Sequence, residues 1–148
     1  MIPERYAPQT YALMRIVFGF VFLILGLEKW GLLQHGPAAP PVAPLSPLAW
    51  QLTGGQMAPI FSLFGLAGMI ETVCGAMIML GLFTKPAAFL ASGEMAVAYF
   101  MIHQGMGLLP NQNFGERAVL FCFGFLYIAT RGAGICSADA AMGSGRRR

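Results

Sequence analysis

The sequence predicts an all-α, membrane-spanning four-helix bundle, and three observations support that fold class. The chain has 148 residues, of which 57% are hydrophobic and 10% are charged. Soluble domains carry about 25% charged residues, so this chain has too little polar surface to stay in water. Four stretches are apolar and approach the roughly 20 residues that a helix needs to cross a bilayer. The length suits one domain, residues 1–148, without an internal boundary.

The four predicted spans alternate in direction along the chain. We place them at residues 10–27, 59–83, 86–102 and 114–130. Only the short turn Thr84-Lys85-Pro86 joins the second span to the third, so these two must be antiparallel neighbours. Pro86 suits the first turn of a helix, where its missing N–H costs nothing. The first span lacks a small-x-small cleavage pattern, which favours an uncleaved helix over a signal peptide.

The longest connection, residues 30–57, contains five prolines and cannot be helical throughout. Within it, Ser46 suits an N-cap and Pro47 suits the first helical position. Gly54 or Gly55 would end that helix. The sequence therefore predicts a Pro-rich loop with a short interfacial helix between the first two spans.

The distribution of basic residues predicts the orientation in the membrane. Four crossings put both termini on one side, with six basic residues: Arg5, Lys85, Arg131, Arg146, Arg147 and Arg148. The other side would carry only Lys29 and Arg117. By the positive-inside rule both termini are cytoplasmic. We expect a protein of a bacterial inner membrane, with residues 30–57 outside the cytoplasm and residues 132–148 as a cytoplasmic tail.

Arg15, Glu71 and Glu94 fall inside predicted spans and form a candidate intramembrane polar site. A charge at the bilayer centre costs about 2.5–3.5 kcal/mol, so these side chains should face the bundle interior. Counting depth from the cytoplasmic helix ends predicts an ion pair between Arg15 and one of the two glutamates. The alternative interpretation is that the three charges only fix the register of the bundle.

Small residues accompany these charges. On the first span one face should carry Arg15, Gly19, Phe22, Gly26 and Lys29. On the second span Gly68 and Gly75 flank Glu71 on its own side. Small residues let membrane helices approach closely, so we expect the first two helices to pack tightly on the face that carries the charges.

A second polar group is predicted near the opposite membrane surface, at the outer ends of helices one, three and four. It comprises Glu28, Lys29, His103, Glu116 and Arg117, with Lys29, His103 and Glu116 as the candidate outer-interface site. His103 is nine residues from Glu94, half a turn out of phase, so we expect the two on different faces. The alternative for His103 and Glu116 is solvation or helix capping, since an anion is favoured in a first turn.

Other classes of site find little support. The three cysteines, Cys74, Cys122 and Cys136, have no metal-type spacing, and we expect neither a disulfide nor a cysteine metal site. The sequence has no phosphate-binding glycine loop, HExxH, CxxC or GxSxG motif. We expect no bound metal and no covalently attached cofactor. The scattered basic residues do not indicate nucleic-acid binding.

Three segments resemble the DoxX family of small four-helix membrane proteins. "RIVFGFVFLILGLEKWG" (residues 15–31) is similar to the family's opening helix, and residues 65–103 are similar to its central signature, with an in-membrane glutamate, a "LGL-T-basic" turn and a closing histidine. Residues 115–139 resemble its last helix and "G-x-G…S-x-D" tail. The matching positions are Arg15, Gly26, Lys29, Glu71, Gly81, Lys85, His103, Glu116 and Asp139. The long Pro-rich loop and Glu94 depart from the pattern.

The resemblance implies a membrane-bound function linked to redox chemistry. It suggests the membrane subunit of a quinone-linked oxidoreductase, with a quinone as ligand and a partner subunit that handles electrons, because this chain has no motif for a redox centre. Two alternatives stay open. One is a structural or assembly subunit of a larger respiratory or photosynthetic membrane complex. The other is a small-solute or proton carrier that uses Glu71 or Glu94 as a relay.

Overall fold

The computed structural model describes residues 3–30, 32–33 and 62–145. Nearly all of the Pro-rich loop, including the short helix predicted to begin at Ser46, lies outside the described residues. The prediction of an all-α chain with four main helices is confirmed. Their bounds are α1 Ala7–Lys29, α2 Leu63–Leu80, α3 Thr84–Ala98 and α4 Glu116–Arg131, with a short α5 at Ala138–Gly145.

Two of the described helical stretches, Glu4–Lys29 and Leu63–Leu80, are long and apolar enough to cross a bilayer. The first consists of α1 and the 3₁₀ turn that precedes it. α3 is shorter, but it continues without a break into a π-helical turn, Tyr99–His103. As predicted, Pro86 lies in the first turn of α3 and Glu116 in the first turn of α4.

The helices run antiparallel. α1 packs mainly on α2, and α3 mainly on α4. We call the end of the bundle that contains the α2–α3 turn, residues 81–83, the turn end, and the opposite end, with residues 104–115, the loop end. The Tyr11 hydroxyl donates a hydrogen bond to the Gly132 carbonyl. The start of α1 and the residue after α4 therefore meet at the turn end.

The α2–α3 turn is built on Gly81. Its φ of 71° is left-handed, and its N–H donates to Ile78 while that of Leu82 donates to Met77. This is a Schellman end, which favours glycine. A side chain at position 81 would also collide with Ser137. The turn thus holds α2 and α3 side by side at this end.

Phenylalanines join α1 to α4 in the core. Phe22 and Phe125 are fully buried, with ring centroids 4.6 Å apart and an edge-to-face tilt of 62°. Phe18 and Phe121 extend the cluster. Such aromatic pairs add about 0.5–1.5 kcal/mol beyond their burial. Large apolar side chains also cover the outside, including Phe89 at 68% exposure, a surface suited to lipid.

Candidate functional site

The contact between α1 and α2 is made by two pairs of glycines with matching spacing. Gly19 packs by Gly75, and Gly26 packs by Gly68. The glycines in each helix are seven residues, about two turns, apart. A Cβ at Gly75 would lie within 3 Å of the Leu23 and Gly19 backbones. The predicted close packing is confirmed, and it fixes the register of the two helices.

That register places Arg15 beside the last turn of α2. Its guanidinium is fully buried and donates to the carbonyls of Ile78 (2.7 Å), Met79 (2.8 Å) and Cys136 (2.8 Å). Carbonyls in the last turn of a helix lack intrahelical donors, and the helix dipole favours a cation there. The predicted pairing of Arg15 with a glutamate is therefore wrong. Arg15 binds backbone at the helix end instead.

Asp139 accepts hydrogen bonds at the start of α3, just as Arg15 donates them at the end of α2. Its carboxylate accepts hydrogen bonds from the N–H groups of Phe83 (2.9 Å) and Thr84 (3.0 Å) and from the Thr84 hydroxyl (3.0 Å). Partial burial raises the pKa of Asp139, but these bonds and the nearby charge of Arg15 outweigh burial and leave the pKa below its ordinary value. Arg15 and Asp139 thus cap the two helices that meet at the turn, so we assign both a structural role.

Lys29 forms a buried ion pair with Glu71. Its ammonium nitrogen lies 2.5 Å from a carboxylate oxygen of Glu71, and the two side chains are only 13% and 3% exposed. Lys29 ends α1 at the loop end, whereas Glu71 lies near the middle of α2. The pair links one residue of each predicted site.

A cavity of about 570 Å³ lies between α2 and α3. The end of α1 and the start of α4 also contribute to its wall. Small-molecule sites usually measure about 300–1,000 Å³. Most of the wall is apolar. The polar residues on it are Lys29, Glu71, Glu94, His103 and Arg117. Several lining residues, such as Leu66 (50%) and Met101 (64%), are also exposed on the outer surface, so the cavity opens where lipid would lie.

Glu94 places a buried polar atom without a partner on the cavity wall. Its Oε2 atom is buried and has no hydrogen-bond partner among the described residues. Leaving a buried polar group unpaired costs about 1–3 kcal/mol, more when it is charged. A ligand with a polar group at this point of the cavity would recover that free energy.

His103 lines the same cavity as Glu94, so the predicted separation of the two is wrong. The reason is the π-helical turn at Tyr99–His103, where the Gln104 N–H donates to Tyr99, five residues back. A regular helix turns about 100° per residue, and a π turn accommodates one extra residue. His103 is therefore roughly 80°, rather than 180°, out of phase with Glu94.

The remaining predicted site residue, Glu116, is exposed and is not part of the cavity wall. Its neighbour Arg117 is on the wall. Sequence reasoning also missed Asn113, which is fully buried in the loop before α4. In the sequence, Asn113 ends the polar run Asn111-Gln112-Asn113, which carries no signal of burial. The three cysteines are free, and the described residues hold no group of three or more potential metal ligands.

Two helices long and apolar enough to cross a bilayer and a largely apolar cavity characterise a small helical membrane protein. The chain belongs to the DoxX family, whose profile matches residues 10–104. It is similar to an uncharacterized protein of Haemophilus influenzae, with 38% identity over 139 residues that span 92% of each chain. No solved structure matches the chain.

Proposed function

We propose that this protein binds a quinone in the cavity between α2 and α3 and serves as the membrane subunit of a quinone-linked oxidoreductase. The observation that carries the proposal is the Oε2 atom of Glu94, which is buried without a partner among the described residues and lies on the wall of a largely apolar cavity. A quinone suits such a site, since its ring is apolar and its carbonyl oxygens accept a hydrogen bond, which the protonated carboxyl group of Glu94 donates.

The charges around the cavity favour a neutral ligand. Lys29 and Glu71 neutralise each other as an ion pair. Of the other two charged residues on the wall, Glu94 is acidic and Arg117 is basic, so the wall carries no excess charge that would attract an ionic ligand. Apolar residues such as Leu66 and Met101 reach the outer surface from the cavity wall, so an isoprenoid tail has an apolar route to the lipid.

A bound quinone takes up electrons that another group must deliver. We propose a partner protein as that donor, which makes this chain a subunit of a larger system in a bacterial inner membrane. The excess of basic residues at the turn end supports a cytoplasmic location for that end. In this arrangement the head-group site lies nearer the loop end, on the side away from the cytoplasm.

The proposal is tested by equilibrium binding of decylubiquinone to the purified protein in lipid nanodiscs. Glu94→Leu should weaken binding about tenfold, because it leaves a buried quinone oxygen without its donor, which costs about 1–3 kcal/mol. Glu94→Gln should lose less, since an amide still forms hydrogen bonds. The matched control is Glu4→Gln, which removes an exposed carboxylate at the turn end. This variant should bind decylubiquinone as tightly as the parent does.

Absence of saturable decylubiquinone binding to the parent would contradict the proposal, as would equal affinity of the parent and Glu94→Leu. Proton flux in liposomes that depends on Glu94 without quinone would favour the carrier alternative. Stable association with a large membrane complex that Glu94→Leu leaves fully active would favour a structural subunit.

A further inference from the structure

The imidazole of His103 is held in one tautomer by the backbone. Its Nδ1 atom lies 2.9 Å from the carbonyl oxygen of Asn113. A carbonyl oxygen only accepts hydrogen bonds, so Nδ1 carries a proton and donates. In the neutral ring the other nitrogen, Nε2, is then a hydrogen-bond acceptor.

Asn113 keeps this carbonyl in place. Its side chain is fully buried, donates to the Gly107 carbonyl (2.9 Å) and accepts from the Gly115 N–H (2.9 Å). The ring of Tyr99 stacks on the imidazole, with centroids 6.4 Å apart and planes inclined by 24°. The loop before α4 is thus tied to the π-helical turn, and the ring of His103 is oriented from two sides.

The Nε2 atom has no hydrogen-bond partner within the part of the chain that the structure describes, and His103 forms part of the cavity wall. Four charged or titratable groups share that wall. They are Lys29 on α1, Glu71 on α2, Glu94 on α3 and Arg117 on α4. Lys29 and Glu71 already satisfy each other. His103, Glu94 and the exposed Arg117 are the groups on this wall that keep a free polar atom among the described residues.

We propose that His103 makes the site selective for the redox state of the quinone, an inference that rests on the proposed function. Neutral His103 accepts a hydrogen bond at Nε2 from a ring hydroxyl, which the reduced quinol has and the oxidised quinone lacks. When His103 is protonated, Nε2 becomes a donor and favours the carbonyl of the quinone. The preference for quinol over quinone is therefore lost when His103 is protonated.

The test compares the affinities of decylubiquinone and its reduced quinol in nanodiscs under anaerobic conditions. Measurements at about pH 8 and about pH 5 bracket the range in which histidine side chains change charge. The ratio of the two affinities should change about tenfold in the parent, as expected when one hydrogen bond is gained or lost. His103→Gln, which hydrogen bonds but does not titrate, should show no such change. Glu94→Gln should keep it, because the change belongs to His103.

The outcomes separate the two proposals. If the parent binds both forms with a ratio that pH does not alter, or if His103→Gln keeps the change, the role of His103 is overturned while quinone binding stands. If Glu94→Gln loses the pH dependence of the affinity ratio while His103→Gln keeps it, the role of His103 is likewise overturned, and the effect belongs to the carboxyl group of Glu94. If the parent binds neither form, the proposed function fails and this inference fails with it.

Discussion

The ammonium group of Lys29 on α1 and the carboxylate of Glu71 on α2 form a buried ion pair, 2.5 Å between nitrogen and oxygen. Two glycine pairs hold the same helices in backbone contact, one of them next to this ion pair. A separated charge in this apolar setting is expensive, so the pair resists sliding of one helix along the other. The pair also borders the cavity. Among the described residues, Glu94 is then the carboxyl group whose buried oxygen has neither a hydrogen bond nor an ion pair.

Removing one member of this pair should destabilise the protein more than removing both. Lys29→Met or Glu71→Leu leaves a buried charge unpaired, and each should lower the free energy of unfolding by about 3 kcal/mol. The double variant should recover most of that loss, because no unpaired charge remains. Unfolding by sodium dodecyl sulfate in mixed micelles measures all three. Simple addition of the two single losses would show that the pair is not coupled.

A methyl group at Gly75 should force α1 and α2 apart. Gly75→Ala brings its Cβ within 3 Å of the Leu23 backbone, and overpacking of this kind costs about 1–3 kcal/mol. Gly93→Ala is the matched control, since nothing lies within 4 Å of its Cβ. It should stabilise α3 by about 0.5–1 kcal/mol, because alanine favours a helix. Equal effects of the two substitutions in the same unfolding assay would argue against backbone contact at Gly75.

Asp139 should make the stability depend on pH on the acid side. Its pKa is lower in the folded protein than its ordinary value, so the unfolded chain takes up a proton more readily. The contribution of Asp139 is therefore complete above about pH 4 and is lost as the pH falls through the folded pKa. The stability difference between the parent and Asp139→Asn should be about 1 kcal/mol at neutral pH, because Asp139 accepts with both oxygens and asparagine has only one acceptor oxygen. This difference should shrink towards pH 3. A difference that stays constant would contradict the capping role.

The sequence predicted much of the helical architecture because its signals are local. Apolar stretches located the helices, and Gly19, Gly26, Gly68 and Gly75 indicated which faces of α1 and α2 meet. The partner of Arg15 was not predictable from charge alone, because its acceptors are backbone carbonyls that every sequence has. Two of them, the carbonyls of Ile78 and Met79, belong to the last turn of α2. That turn lies beside Arg15 because of the register set by the glycines.

The position of His103 could not be predicted for a related reason. Phase arguments assume a regular helix, and a single π-helical turn between Tyr99 and His103 changes the phase by about 100°. Nothing in residues 94–103 indicates such a turn. The buried role of Asn113 depends on how a connecting loop folds back on α3, a non-local contact without periodicity.

The most direct test of the central claim, that the cavity between α2 and α3 holds a quinone, is the quinone content of the purified protein. Gly93 lines the cavity, and the space around its Cβ is open, so Gly93→Phe should fill the cavity without displacing backbone. Lipid-soluble compounds extracted from the parent after mild solubilisation of native membranes should include quinone in a stoichiometric amount, quantified by mass spectrometry. Gly93→Phe, with unchanged stability, should lose it. Equal quinone content in both proteins, or none in the parent, would contradict the account.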